Sequence, residues 1–254
     1  MQKYIERPLL VSGRKFDIRA FAMMTSINGC LKGYMYRDCY FRTSCKPFDL
    51  SNLGSRYVHL TNDAVQMNSE DYGKFENGNK LSINDFQRFL DINFSSKNIC
   101  FMRDLFPQME RLVTDSFRAV MDKIDPRRMS HSFEVLGYDF MIDENFKVYL
   151  IEANTNPSLE ICSPLLARII PELLDNSFRI AVDPIYQPPY LIEDPRPTDL
   201  SPAPRACLSQ VQGAAARQDE EPTSPPANAK AGAQKGAGAN LNAKEHGNGH
   251  GSQN

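Results

Sequence analysis

Histidine is scarce in this sequence and its cysteines are unpaired, which narrows the chemistry available to it. Only His59 and His131 lie outside the C-terminal tail, so neither a Ser-His-Asp nor a Cys-His nucleophilic arrangement is indicated. The six cysteines form no Cys-x-x-Cys pair, and no histidine joins them at zinc-ligand spacing. We therefore expect reduced thiols, as in cytosolic proteins, and no zinc site.

Long apolar runs and a large net charge are also missing. No stretch approaches about 18 apolar residues and the start is not signal-like, so we expect a soluble, cytoplasmic protein without membrane insertion. The net charge is −2, yet residues 1–60 carry ten Lys/Arg against four Asp/Glu, a local excess of six positive charges. This region fits either phosphate ligands among surface charges or a face that attracts an acidic partner. Nucleic acid is not expected, because the aromatic residues follow strand spacing and indicate core.

A β-hairpin is predicted in the second half of the chain. Its arms, residues 137–142 and 146–154, are rich in aromatic and β-branched side chains. Asn145 in the intervening turn tolerates a left-handed conformation. We take the loop to be even, with Asp143 opposite Phe146.

Two acidic residues of this hairpin suggest a metal site. With an even loop, Asp139 pairs with Leu150 and lies diagonal to Glu152, on the same face as Asn154. An odd loop would put the two acids on opposite faces. Because Glu152 follows an apolar run, we expect its strand to be buried, where an unpaired acid is costly. Such oxygen ligands suit Mg²⁺, and a solvated face is the alternative interpretation.

A second polar cluster lies near the start of the chain. Alternation puts Lys15, Asp17 and Arg19 on one strand face, with apolar residues on the other. This pattern predicts the floor of a polar site, and a face whose charges simply meet water is the alternative. Downstream, residues 34–37 and 41–44 predict a strand-like pair with cationic insertions.

Six short motifs follow one another along the chain. They are Gln2-Lys3-Tyr4-Ile5, Gly13-Arg14-Lys15-Phe16-Asp17-Ile18-Arg19, Tyr36-Arg37, His59-Leu60-Thr61-Asn62, Gly137-Tyr138-Asp139-Phe140 and Ile151-Glu152-Ala153-Asn154. In this order they resemble the C-terminal catalytic half of the tubulin tyrosine ligase family. The resemblance runs from residue 1 to about residue 184. It implies an α+β, ATP-grasp-like fold in which helices flank an antiparallel sheet.

The resemblance also implies which residues bind ATP. An extended segment would meet the adenine through its backbone, Lys15 and Asp17 would contact the nucleotide, and two further residues would line its pocket. The full set is Gln2, Lys3, Tyr4, Ile5, Lys15, Asp17, Thr61 and Asn62.

Metal and substrate residues are implied in the same way. Asp139, Glu152 and Asn154 match the family's Mg²⁺ ligands, the trio that the hairpin argument also selects. Arg37 resembles the catalytic arginine that holds the incoming amino acid or the reacting phosphate. Arg19 matches a position directed towards the peptide substrate.

The implied function is an ATP- and Mg²⁺-dependent ligase that adds a free amino acid to tubulin through an acyl phosphate. Its partners would be the acidic tubulin tails, and its location the cytoplasm and cytoskeleton, at microtubules or cilia. The family's N-terminal domain and central segment are not in this sequence, so we expect a fragment, a truncated isoform or the product of a partial gene sequence. A catalytically impaired tubulin-binding fragment and another ATP-grasp carboxylate–amine ligase stay as alternatives.

The added amino acid is expected to be neutral, such as tyrosine or glycine. Glutamate-adding members are expected to place a lysine beyond the Glu-x-Asn motif. Here no lysine occurs between Lys147 and Lys230, and only Arg168 and Arg179 offer positive charge on the intervening ordered chain. A buried substrate carboxylate without a partner is costly.

The remaining segments predict scaffold and tail. Helices are expected from a cap at Ser82 or Asn84, over residues 102–124, and over residues 165–174, where Pro171 begins a new helix turn. We assign residues 1–184 to the ligase domain, 185–198 to a proline-rich exit segment, and 199–254 to a disordered low-complexity tail.

Overall fold

Seven strands and five α-helices make up the described part of the chain, a computed structural model of residues 2–187 and of the backbone of residues 208–211. The strands are β1 (Leu10–Val11), β2 (Arg14–Ile27), β3 (Cys30–Pro47), β4 (Lys80–Ser82), β5 (His131–Ile142), β6 (Val148–Asn154) and β7 (Leu208–Val211). The α-helices are α1 (Arg56–His59), α2 (Asp63–Gln66), α3 (Ile83–Asn93), α4 (Phe106–Ile124) and α5 (Pro164–Ala181). The 3₁₀ turns Asn77–Asn79 and Ser95–Lys97 and the π-helical turn Phe101–Leu105 complete the elements.

All the strands belong to one antiparallel sheet. Its main order is β4-β3-β2-β5-β6, while β1 pairs with β2 and β7 pairs with β3. Helices flank this sheet, which confirms the predicted α+β class with an antiparallel sheet. Strand β7 falls inside the segment that was predicted to be disordered; the rest of the predicted tail and most of the predicted exit segment lie outside the described residues.

Both faces of the sheet bury apolar side chains. On one face, β2 and β3 pack against α3 and the π-helical turn, where Phe41 stacks on Phe86 with ring centroids 4.1 Å apart. On the other face, α5 packs against Phe21, Tyr36 and Tyr40. Because each buried aromatic side chain contributes about 2–3 kcal/mol, these two layers hold the central strands in place.

The helices begin largely where the sequence places them. The Ser82 side chain accepts a hydrogen bond from the Asp85 backbone N–H, and the Asp85 carboxylate accepts one from the Ser82 backbone N–H. This capping box confirms the predicted cap. Helix α5 continues through Pro171, so the expected new turn at this proline is wrong. None of the helices in residues 2–187 is long and apolar enough to cross a membrane.

The turn between β5 and β6 is odd, not even. Ile142 pairs with Val148, so five residues, 143–147, form the loop. The Asp143 carboxylate accepts hydrogen bonds from the backbone N–H groups of Asn145 and Lys147, at 2.8 and 3.0 Å. The left-handed residue is Phe146, with φ of 63°, and not Asn145. Asp143 therefore forms an Asx turn that sets a longer loop than the sequence suggested.

A β-bulge restores the face that the odd loop would have reversed. Phe140 pairs with Leu150 and Asp139 pairs with Glu152, so Ile151 is an extra residue on β6. The predicted pairing of Asp139 with Leu150 is therefore wrong. The two acids still share a face, and they lie directly opposite each other instead of diagonally.

Strand β3 combines two segments that the sequence suggested as a pair. Its partner β2 pairs Ala20 with Cys39 and Ala22 with Met35, so β3 carries two extra residues between these positions. A second register shift lies between Arg14, which pairs with Pro47, and Phe16, which pairs with Thr43. The predicted strand pair is therefore one long strand that contains two irregularities.

The aromatic layer should dominate stability. Phe86→Ala removes the ring that stacks on Phe41, and we expect the free energy of unfolding to fall by about 3–5 kcal/mol. Ile92→Ala, on the same helix, is the matched control: its side chain is 79% exposed and should change stability by less than about 0.5 kcal/mol. Equal effects of the two substitutions in chemical denaturation would contradict this assignment of the core.

Candidate functional site

One face of β2 forms the floor of a charged site. Lys15, Asp17 and Arg19 lie on the same face, while Phe16 and Ile18 of the opposite face belong to the aromatic core. The three charged residues are at most 8% exposed, which excludes the alternative of a face that simply meets water. Charges buried to this extent need partners.

The partners come from the two neighbouring strands. Arg42 of β3 lies opposite Asp17 and donates from Nε and Nη2 to its two carboxylate oxygens, at 2.6 and 2.7 Å. Asp139 of β5 lies opposite Arg19 and accepts from its Nε at 2.6 Å. A further bond of 2.8 Å joins Arg42 Nη2 to Asp139 Oδ2. Two acids and two arginines thus alternate across three strands.

The alternating charges shift the pKa values of Asp139 and Arg42. Burial alone would raise the pKa of Asp139, but the hydrogen bond from Arg19 and the charges of Arg42 and Arg19 outweigh it, and the pKa lies below its ordinary value. Burial likewise opposes the charge of Arg42, yet Asp17 and Asp139 raise the pKa of its guanidinium. Asp139 and Arg42 therefore both favour their charged forms.

Residues 59–62 lie over this charged floor. The Thr61 hydroxyl donates to Asp17 Oδ2, which adds a third hydrogen bond to the two that this carboxylate accepts from Arg42. Asn62 precedes α2 and lines a cavity that Arg19 and Arg42 also line. Thr61 and Asn62, both predicted from the sequence, are thus brought next to the charged strand.

Lys15 joins this segment to the start of the chain. Its Nζ donates to the His59 carbonyl at 2.8 Å and to the Tyr4 hydroxyl at 3.3 Å, and it lies 4.8 Å from the centroid of the Tyr4 ring. The Tyr4 hydroxyl also bonds His59 Nδ1 at 2.8 Å. Burial lowers the pKa of Lys15, and the charge of Asp17 offsets part of this effect.

The first residues line a cleft of about 510 Å³ against the β5–β6 hairpin. One wall is formed by residues 2–7 and the other by residues 143–145 and 149–151. The Gln2 amide donates to the Ile151 carbonyl at 3.2 Å, which connects the two walls. All four residues predicted to meet the adenine belong to the first wall, in an irregular extended segment.

A second cavity, of about 320 Å³, lies over the arginines. Its polar lining includes Arg19, Arg42, Asn62, Asn154 and Glu160. Both arginines are already paired with buried carboxylates, so the cavity combines cationic donors with neutral amides and one exposed acid. Such a lining can hold an anionic group by hydrogen bonds.

The three predicted metal ligands lie on adjoining strands. Asp139 faces Glu152 directly, and the Asn154 amide donates to Glu152 Oε1 at 3.1 Å and to the Gly137 carbonyl at 3.4 Å. Glu152 is exposed, not buried as expected, and it lies on β6, the last strand of the main sheet order. Within residues 2–187 no three His, Cys, Asp or Glu side chains form a metal cluster.

The donor set nevertheless suits Mg²⁺. This ion is usually held by one or two carboxylates and completes its shell with water and substrate phosphates. Asp139 and Glu152 supply two carboxylates and Asn154 an amide oxygen. The oxygens of Asp139 are hydrogen-bonded to Arg19 and Arg42, so a cation here would share that carboxylate with them.

Arg37, the predicted catalytic arginine, does not join the charged network. Its side chain is exposed, and it lies within the bulge of β3. Arg42 occupies the position beside Asp17 and Asp139, which the sequence argument had not assigned to any role.

Two further buried ion pairs were also missed from the sequence. Arg14 pairs with Glu76, and the Lys80 Nζ lies 2.7 Å from Asp63 Oδ2. Each pair ties the segment that covers the charged floor to a strand of the sheet. Arg42 could have been found, because strand pairing of alternating charges favours opposite signs. The other two pairs join residues more than ten positions apart across irregular chain, where no periodicity helps.

The network predicts a pH dependence. The pKa of Asp139 is lower in the folded protein, so its contribution to stability is present above its unfolded pKa and is lost as the pH falls through its folded pKa. We expect the free energy of unfolding of Asp139→Asn to decline less steeply than that of the wild type below about pH 4. At pH 7 the variant should be about 3 kcal/mol less stable, because two buried arginines lose a partner.

Chemical denaturation between pH 7 and pH 3 measures both effects. Asp115→Asn, an exposed position on α4, is the control and should change stability at pH 7 by less than about 0.5 kcal/mol. Parallel curves for the wild type and Asp139→Asn would show that Asp139 is not stabilised by the arginines.

Comparison with known proteins gives one family. The profile described as the tubulin-tyrosine ligase family matches residues 1–189. Tubulin glycylase 3D of Tetrahymena thermophila is 33% identical over 186 residues, which are 72% of this chain and 18% of the relative. A probable tubulin polyglutamylase of Mus musculus is 36% identical over 162 residues, 64% of this chain and 34% of the relative.

Tubulin glycylase 3B of Drosophila melanogaster is 33% identical over 188 residues, which are 72% of this chain and 24% of the relative. The chain thus spans less than half the length of these curated relatives. Because the family profile covers residues 1–189 of 254, the chain belongs to the tubulin-tyrosine ligase family.

Proposed function

We propose that this chain carries the nucleotide- and metal-facing part of an ATP- and Mg²⁺-dependent ligase that adds an amino acid to tubulin. The observation that carries the proposal is the buried network in which Arg42 bridges Asp17 and Asp139, with Arg42 also lining the second cavity. A site of this kind has cations for phosphate, acids for a metal, and no nucleophile of its own. That combination suits phosphoryl transfer followed by ligation.

ATP would lie in the cleft between residues 2–7 and the β5–β6 hairpin. Backbone groups of residues 2–5 and of Ile151 border this cleft and can read the edge of an adenine. Lys15, held by the His59 carbonyl, would direct its charge towards phosphate, while Asp17 and Thr61 fix the neighbouring arginine. Asn62 would contact the nucleotide from the second cavity.

Asp139, Glu152 and Asn154 would hold Mg²⁺. When bound, the ion neutralises charge on the transferring phosphate and so lowers the cost of bringing two anions together. Asp139 is held in place by Arg19 and Arg42, which limits its side chain to one orientation. Glu152 is exposed and held by Asn154 alone, so it can adjust to the incoming phosphates.

The reaction itself needs positioning more than covalent work by the protein. A substrate carboxylate oxygen attacks the γ-phosphorus of ATP, and ADP leaves with the electron pair of the broken bond. The amine nitrogen then attacks the acyl carbon, and phosphate leaves as the nitrogen loses a proton. Arg42 and Arg19 line the cavity in which the carboxylate and the amino acid would meet, and they donate hydrogen bonds to developing negative charge.

Tubulin is proposed as the substrate because the relatives are named tubulin glycylases and polyglutamylases. The excess of positive charge over residues 1–60 suits the acidic tails of tubulin. This assignment places the protein at the cytoskeleton, on microtubules or in cilia. Arg37, exposed on β3, would contact the substrate from outside the buried network.

We propose that the amino acid added to tubulin is a neutral one. In the lining of the second cavity, Arg19 and Arg42 are both paired with carboxylates, and Glu160 adds negative charge. An additional side-chain carboxylate would find no unpaired cation among these lining residues. Tyrosine or glycine would avoid this cost.

Nucleotide binding tests the metal site. Glu152→Gln removes one ligand but no buried ion pair, so we expect an unchanged fold and a Mg²⁺-dependent affinity for ATP weakened about tenfold or more. Glu134→Gln, an exposed acid on β5, is the matched control and should bind ATP as the wild type does. Isothermal titration calorimetry with and without Mg²⁺ measures the ATP affinity of both variants and of the wild type.

Two results would contradict the proposal. Equal ATP affinity of Glu152→Gln and the wild type would show that Glu152 is not a ligand of the metal. Absence of Mg²⁺-dependent ATP binding, together with tubulin binding that needs no nucleotide, would favour a catalytically impaired tubulin-binding fragment.

Amino acid choice is tested by incorporation of radiolabelled glycine, tyrosine and glutamate into purified tubulin, using the full-length product of the gene that encodes this chain. We expect a neutral amino acid to be favoured over glutamate by about a thousandfold, since an unpaired buried carboxylate costs several kcal/mol. The Glu152→Gln variant is the control that measures background labelling of tubulin. Efficient labelling by glutamate alone would refute this preference.

A further inference from the structure

The two edges of β3 differ in how they are covered. One edge pairs with the long strand β2, whereas the other is met only by two short strands. Strand β4 pairs with residues 40–42, and β7 pairs with Gly33–Tyr36. Between these two contacts lies the bulge of β3. Gly33–Tyr36 therefore forms an edge at which an extended segment of this same chain docks.

We expect strand β7 to bind the edge of β3 only weakly. It has four residues, and residues 188–207 separate it from the last described residue of the domain. Four residues form few ladder hydrogen bonds, and the net gain from each is comparable to the entropy lost when a residue is ordered. Occupied and open edges should therefore have similar free energies.

The surroundings of the edge are cationic. Lys32 and Arg37, both exposed, flank the paired stretch on either side. On the neighbouring helix α4, Arg118 lines a small cavity of about 40 Å³ with Lys32 and Gly33, and its one ion pair, with Asp115, is long at 3.7 Å. The sequence of β7, Leu-Ser-Gln-Val, contains no acidic residue. An acidic strand would complement these charges better than β7 does.

We propose that Gly33–Tyr36 is a docking edge for an extended acidic peptide, and that residues 208–211 cover it as a displaceable strand of the same chain. The peptide would add a strand antiparallel to β3, with ladder hydrogen bonds for affinity and with Lys32, Arg37 and Arg118 for charge selection. The edge is distinct from both cavities, and the proposal does not depend on ligase activity.

Proline substitutions in β7 of the full chain test the competition. In Ser209→Pro/Gln210→Pro, two successive backbone N–H groups are lost, and one of them must face β3 because strand neighbours alternate. The probe is a fluorescein-labelled peptide of about ten residues that alternates glutamate and threonine. We expect it to bind the proline variant about tenfold more tightly than the wild type, because the competing strand is removed.

Three controls separate strand docking from general attraction to acid. Ser209→Ala/Gln210→Ala keeps the ladder groups and should bind as the wild type does. Lys32→Glu should weaken binding about fivefold or more, whereas Lys147→Glu, on the distant hairpin, should not. A peptide of the same charge with N-methylated backbone should bind at least about tenfold more weakly, since it cannot form the ladder.

Amide hydrogen exchange tests independently whether β7 covers residues 33–36. Exchange at residues 33–36 should rise in the proline variant and fall again when the peptide is added. Equal affinity of the proline variant and the wild type, no binding by either, or full binding of the N-methylated peptide would each overturn the proposal.

Discussion

The guanidinium of Arg42 is the group on which the charged site depends. It lies buried between two carboxylates, one on β2 and one on β5, and it satisfies both with near-ideal hydrogen bonds. Removing Arg42 would break the ion pairs with both carboxylates, and removing Asp139 would break those with both arginines, which costs more than the pairs contribute. The network therefore fixes the relative position of three strands and favours the ionised form of Asp139.

The site around this network is assembled from distant parts of the chain. Residues 59–62 cover the strand face through Thr61 and the His59 carbonyl, and the first residues contact Lys15 from the other side. Each contact satisfies a polar group that burial would otherwise leave without a partner. The second cavity borders the network at Arg19 and Arg42, and the cleft lies between the first residues and the β5–β6 hairpin.

The sequence predicted those features that depend on periodicity. The alternation in β2, its apolar backing and the cap at Ser82 appear as expected, because each follows from residues two to four positions apart. Several of the errors involve a change of register. Asp139 faces Glu152 only because Ile151 is an extra residue on β6, and the predicted strand pair is one strand because β3 continues through a bulge. Bulges depend on packing across strands and leave little trace in a single sequence.

What the sequence by itself determined is the set of charged residues, their strand faces, and the motifs that indicate the family. What only the tertiary structure decided is which of these charges meet. Arg42 rather than Arg37 lies beside the acids, Asp139 is held by two arginines, and a segment of the C-terminal region pairs with β3. The physical reason is that burial makes each charge select its partner over distances of 25 residues or more along the chain, where local patterns carry no information.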